Sequence, residues 1–162
     1  NAIFALNKDG RQIKADIDTE NLNLKRLLNN DKFGLLNFHI EAEGHFASDG
    51  QHRLPETLTI KGNIPRVDYN QYSYTHVAFD GIYRQKTFDG QISIDDPNAK
   101  VNLWGTVKNP FGSQHTNAVT NITADIRHLR PYALHLTDRW GDADFSFDKF
   151  VLLWKSTDSP EC

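Results

Sequence analysis

Residues 72–107 read YSYTHVAFDGIYRQKTFDGQISIDDPNAKVNLWGTV, and their apolar residues fall two apart. Val77, Phe79 and Tyr83 are followed by Phe88, Ile92 and Ile94, then by Val101, Leu103 and Val107. A period of two is that of a β-strand, whose successive side chains point to opposite faces. The residues between them, among them Asp80, Gln91, Ser93, Lys100, Asn102 and Lys108, are polar. Each strand therefore has one dry and one wet face, as in antiparallel sheets covered on a single side. The links are short. Gln85 to Thr87 is a tight hairpin connection, and Asp95-Asp96-Pro97-Asn98 combines side chains that bond turn backbone with a proline that fixes φ.

A glycine takes an inward place in each of these strands: Gly81 after Phe79, Gly90 after Phe88, Gly105 after Leu103. The same happens at Gly44, after Phe38, Ile40 and Ala42, and at Gly62, after Leu58 and Ile60. Glycine inside a strand costs about 0.5–1 kcal/mol, so five on one face predict a sharp bend or a close approach by another group. A deliberately curled sheet would use them so. A bulge or tight corner in an ordinary sandwich would too.

Outward from the centre the alternation continues. Ile3 to Leu6 and Ile13, Ala15, Ile17 predict a hairpin around Lys8-Asp9-Gly10. Leu24, Leu27 and Leu28 are in helical spacing behind an asparagine suited to a cap, which predicts one or two helical turns. Strands follow over Phe38 to Phe46, closed by Ser48-Asp49-Gly50, and over Leu58 to Ile64, where Pro65 lacks a ladder donor and predicts a bend. Ala118, Ile122, Ala124 and Ile126 predict one more. The end then echoes the beginning: residues 15–44 are matched in order by 124–147, with Leu129 to Leu136 in the place of the short helix and Trp140-Gly141 in that of Phe33-Gly34. A long period built of strands predicts an array that grows by adding strands.

With 162 residues the chain has room for one domain. It has no methionine, starts Asn-Ala-Ile-Phe, and shows neither a signal-peptide core nor an apolar run of bilayer length, so we expect a piece of a longer polypeptide. A net charge of −3 with both signs interspersed offers no basic stripe for a phosphate backbone, which argues against nucleic acid. The single cysteine, Cys162, excludes an internal disulfide and a cysteine-rich metal site.

The stretches ADIDTENLNLKRLL with FGLLNFHIEAEG, LTIKGNIPRVDYNQYSYTHVAFDGIY, and FDGQISIDDPNAKVNLWGTV cover most of residues 15–107. In this order they resemble the AsmA-like family that includes TamB, the large periplasmic proteins of the translocation and assembly module, and most of all its Bacteroidetes members. The resemblance implies an all-β fold with one or two short helices, in which a long antiparallel sheet curls into an apolar trough, the β-taco. It implies outer-membrane biogenesis by carriage of phospholipid along the trough, or by help in assembling outer-membrane proteins, with no enzymatic activity and no cofactor. The implied place is the periplasm, with an inner-membrane anchor outside this chain. The implied partners are phospholipid acyl chains, adjoining segments of the same protein and an outer-membrane barrel of the BamA/TamA kind. On this reading Phe38, Ile40, Leu58, Ile60, Val77, Phe79, Phe88, Ile92, Ile94, Val101, Leu103 and Val107 line the trough, with Gly44, Gly62, Gly81, Gly90 and Gly105 on the same face. One departure follows Phe147, where Phe150-Val151-Leu152-Leu153-Trp154 is a continuous apolar run instead of an alternation.

Nothing convergent points to catalysis. Asp95 and Asp96 are adjacent and face opposite ways, unlike a glycosidase pair. The histidines at 39, 45, 52, 76, 115, 128 and 135 form no HExxH pattern, and no G-x-S-x-G elbow or glycine-rich phosphate loop is present. Two other readings stand beside the conduit. A scaffold sandwich would cover the same apolar residues with a second sheet. A carbohydrate-binding module would use Tyr69, Tyr72, Tyr74 and Trp104 as an aromatic platform, Trp104 lying on the wet face between Leu103 and Gly105.

Overall fold

The alternation at residues 72–107 becomes three long strands, and the same pairing extends to both sides of them. The computed structural model describes residues 2–6, 12–46, 55–110 and 119–155. In chain order these form β1 (Ala2–Leu6), β2 (Gln12–Asn23), α1 (Leu24–Leu28), β3 (Phe33–His45), β4 (Thr57–Tyr69), β5 (Tyr72–Arg84), β6 (Thr87–Asp96), β7 (Ala99–Lys108), β8 (Val119–Leu129) and β9 (Phe147–Lys155). Every strand pairs antiparallel with its neighbours in sequence, giving one nine-stranded sheet in the order β1 to β9. At about 4.8 Å per step the nine extend roughly 38 Å across. All belong to this one sheet, so a sandwich has no second layer among the described residues.

The short helix forms where leucine spacing predicts it. Asn23 is its cap, the side chain accepting from Arg26 N at 3.0 Å, and Asn29 ends it in the left-handed region (φ 49°). The loops at Lys8-Asp9-Gly10 and Ser48-Asp49-Gly50 lie outside the described residues. The echo of the helix at 129–136 is not helical. Leu134 N donates to Arg130 O at 3.1 Å and Leu136 N to Pro131 O at 2.9 Å, but His135 takes φ 56° and halts any helix there. Residues 130–146 are a succession of turns that fold back over one end of the sheet, where Leu134 is 1% exposed.

A line of irregularities crosses β2 to β5 at one level. The β2–β3 register shifts between Thr19 and Leu22, with Asn21 at φ 55°, and the β3–β4 register shifts between Asn37 and His39. Beside that shift Pro65 stays inside β4 but pairs with neither neighbour, and across from it His76 of β5 takes φ 51°. A left-handed residue within a strand reverses which face the next side chains occupy. Past His76 the face containing Val77 is thus continued by Tyr74 and Tyr72, which pack against Ala99, Val101 and Leu134.

Candidate functional site: an uncovered apolar groove

The register places the inward residues in rows that run across the sheet. One row passes through Ile17, Ile40, Gly62, Phe79, Ile92, Leu103, Ala124 and Phe150. The next passes through Ala15, Ala42, Ile60, Gly81, Gly90, Gly105, Ile122 and Leu152. A third passes through Ile13, Gly44, Leu58, Tyr83, Phe88 and Val107, and a fourth through Ile64, Val77, Ile94, Val101 and Ile126. Phe38, opposite Thr19 of β2, lies at the register shift beside Ile64. The residues read from alternation as trough lining are therefore brought together on one face.

That face is incompletely covered. Phe38, Ile40, Leu58, Ile60, Val77, Phe79, Phe88, Ile94, Leu103 and Val107 are half-buried, and only Val101 among the twelve is buried. Ile92, in mid-row, is 43% exposed. Around it Ile60, Phe79, Phe88, Leu103, Val107 and Ile122 bound an open apolar groove of about 270 Å³, near the lower end of the roughly 300–1,000 Å³ typical of small-ligand sites.

Gly81, Gly90 and Gly105 are direct neighbours across β5, β6 and β7. None of the five inward glycines has a positive φ, so close approach is what distinguishes them. A Cβ at Gly90 would stand 2.7 Å from Phe88 Cε1, and one at Gly81 would collide with the same ring at Cζ. At Gly62 it would meet Phe79 Cζ at 2.8 Å and His39 O at 2.6 Å. At Gly105 it would run into the backbone of β8, at Asn121 O and at Ile122 Cα (2.9 Å). Gly44 has ordinary clearance, 3.7 Å to Phe46. The space above Gly81 and Gly90 is thus filled in part by Phe88 and does not stand empty for a ligand, which sequence spacing could not reveal.

One rim of the groove is closed. Leu134 inserts against Ala99 and Val101, with Tyr72, Tyr74, Ile94, Leu103, Ile126 and Leu129 around it. Polar bonds fasten this cap: Tyr74 OH donates to Leu134 O at 2.7 Å, and Asn70 Nδ2 donates to His135 O at 2.7 Å. Beneath it Asp96, 5% exposed, accepts from Tyr72 OH (2.5 Å), Thr75 N (3.0 Å), Thr75 Oγ1 (3.1 Å) and Asn98 N (2.9 Å). Burial pushes the Asp96 carboxyl upward, but the hydrogen bonds from Tyr72, Asn98 and Thr75 together hold it below the ordinary carboxylate value. Burial raises both Tyr72 and Tyr74.

The wet face is a ladder of polar pairs. Lys61 meets Glu41 at 2.9 Å, Lys14 meets Glu43 at 3.1 Å, and Gln91 Nε2 donates to Asp80 Oδ1 at 2.7 Å. Trp104 stands there 40% exposed, opposite Gln91. Tyr72 and Tyr74 are on the other face under the cap, and Tyr69 rests against Phe33 with ring centroids 5.0 Å apart. The four aromatics therefore form no common platform, because His76 turned the tyrosines over. Among the described residues no group of three or more His, Cys, Asp or Glu could hold a metal ion, and no helix is long and apolar enough to cross a membrane. No family model, curated protein or solved structure matches the chain.

Proposed function

We propose that this chain is a lipid-carrying segment of a TamB-type, AsmA-like envelope protein, non-enzymatic, with acyl chains held in the groove of its single curved sheet. The observation that carries the reading is an apolar face formed by β1 to β9 with no second layer over it, half-exposed at its centre around Ile92. A soluble domain that leaves apolar rows this long open to water marks a site for an apolar partner. An extended groove closed along one rim fits a chain-like guest better than a compact one. The sequence resemblance supports the same guest and places the protein in the periplasm.

A photoreactive residue at Ile92 or Leu103 should form phospholipid adducts, detected by mass spectrometry, when the protein is purified from cells and irradiated. The same group at Gln91, one residue away on the wet face, should form few. Ile92→Asp should reduce adducts from Leu103 while costing little stability, since the site is 43% exposed and the carboxylate keeps its water. Absence of lipid at both groove positions, or equal yields at Leu103 and Gln91, would overturn the proposal.

A further inference from the structure

The groove has a closed rim under the cap and a second rim, at the opposite ends of the strands, with a different chemistry. There Tyr83, Phe88 and Val107 form the last apolar row, and one residue further out Arg84, Thr87 and Lys108 stand opposite one another across β5, β6 and β7. Lys86 occupies the β5–β6 turn, and Asn109 N donates to Lys86 O at 2.6 Å, drawing the end of β7 against that turn. Three cations thus gather at the mouth of the groove, all exposed. They lie on a chain whose net charge is −3.

Two features separate this cluster from an ordinary solvated face. Lys14, Lys61, Lys100 and Arg66 each have a carboxylate within 4 Å, but among the described residues Arg84, Lys86 and Lys108 have none. The turn itself is also costly. Gln85 and Lys86 take φ 49° and 59°, positions where Asn-Gly would fold with less strain, so a lysine is held in a left-handed conformation at this rim.

We infer that this rim seats the anionic headgroup of the groove's lipid, so that the segment takes net-negative phospholipids in preference to zwitterionic ones. The inference rests on the lipid reading above. Acyl chains lying over Phe88 and Val107 would bring a headgroup to the strand ends. The long stems of Arg84 and Lys108 can lie along the apolar rim with their charges in water, facing the phosphate.

The test uses protein with a photoreactive residue at Leu103 and vesicles of either pure phosphatidylcholine or pure phosphatidylglycerol. The parent should give several-fold more adduct from phosphatidylglycerol, with the excess shrinking as salt is raised. The triple variant Arg84→Gln, Lys86→Gln, Lys108→Gln should lose that excess and keep its yield from phosphatidylcholine. A control with Arg26→Gln, Lys32→Gln and Arg139→Gln, which removes as much charge elsewhere, should keep the preference. Equal yields from both lipids in the parent overturn the headgroup inference and leave the conduit standing. A preference lost equally in the control also overturns it, since net charge alone would explain the result. No adduct from either lipid overturns both readings together.

Discussion

The glycines of the groove are three different solutions to one crowding problem, and substitution tells them apart. Above Gly90 the obstacle is the far end of Phe88, a ring that can rotate aside, with Asp80 O at 3.1 Å as the nearest backbone. Above Gly105 the obstacle is the main chain of β8, which can move only by breaking its ladder. Gly105→Ala should therefore cost about 1–3 kcal/mol, as overpacking against an unyielding neighbour does, and Gly90→Ala distinctly less. Urea denaturation of both variants gives the comparison, and a larger loss at Gly90 would mean that Phe88 is locked. Sequence alone showed that these glycines share a face, because a period of two is arithmetic. It could not show that a phenylalanine of the same face leans over two of them, since ring direction depends on cross-strand register.

Among the elements, the strands were legible and their continuity of face was not. Alternation from Val77 to Val107 states which residues point inward, and the pairing bears out each assignment. It fails at His76, whose φ of 51° turns Tyr72 and Tyr74 inward. No residue type there announces it, in contrast to Pro65, whose missing donor is visible beforehand. The helix expected at 129–136 was misjudged for a related reason: leucine spacing fits a helix, but burial of Leu134 against Val101 and the left-handed His135 favour separate turns. What secures that cap to the sheet is Asp96, and its charge sets a pH dependence. Its carboxyl titrates below the ordinary 3.8 in the folded protein, so the stabilisation is fully present above that value and is lost as pH falls through the lower folded value. Asp96→Asn should remove about 1.5–3 kcal/mol at neutral pH, the usual worth of bonds to a buried charged group, and flatten the loss between pH 5 and 3. Thermal melts across that range, followed by tyrosine near-ultraviolet circular dichroism, check both statements. An unchanged acid profile in the variant would mean that another carboxylate governs it.

For the whole molecule the open question is what meets the two edges of the sheet. Within the described residues β1 and β9 each have one neighbour, so their outer backbone groups are unpaired, and both are apolar on top of that. Ile3, Phe4 and Leu6 of β1 are 67–68% exposed, and Phe150, Val151, Leu152 and Leu153 of β9 are 49–60% exposed. In β9 the apolar surface covers both faces: Phe150 and Leu152 continue the groove rows, whereas Val151 and Leu153 stand opposite Thr123 and Asn121 on the wet face. Natural edges are ordinarily blunted by charge, proline or a bulge. Here a bulge with Lys149 at φ 52° interrupts only the start of β9, and residues 150–153 beyond it are a regular apolar edge. This geometry fits continuation of the sheet by a further strand. In isolation the chain should satisfy the edge with copies of itself, and sedimentation velocity should show association that rises with concentration. The double variant Val151→Lys, Leu153→Lys charges the wet face of that edge and leaves Phe150 and Leu152 in the groove rows. It should raise the concentration at half-association at least about tenfold, equivalent to ~1.4 kcal/mol, with lipid adducts at Leu103 unchanged. A parent that stays monomeric at high concentration would show that these edges are covered by other means. Loss of lipid adducts in the variant would show that β9 belongs to the lipid site as well as to the edge.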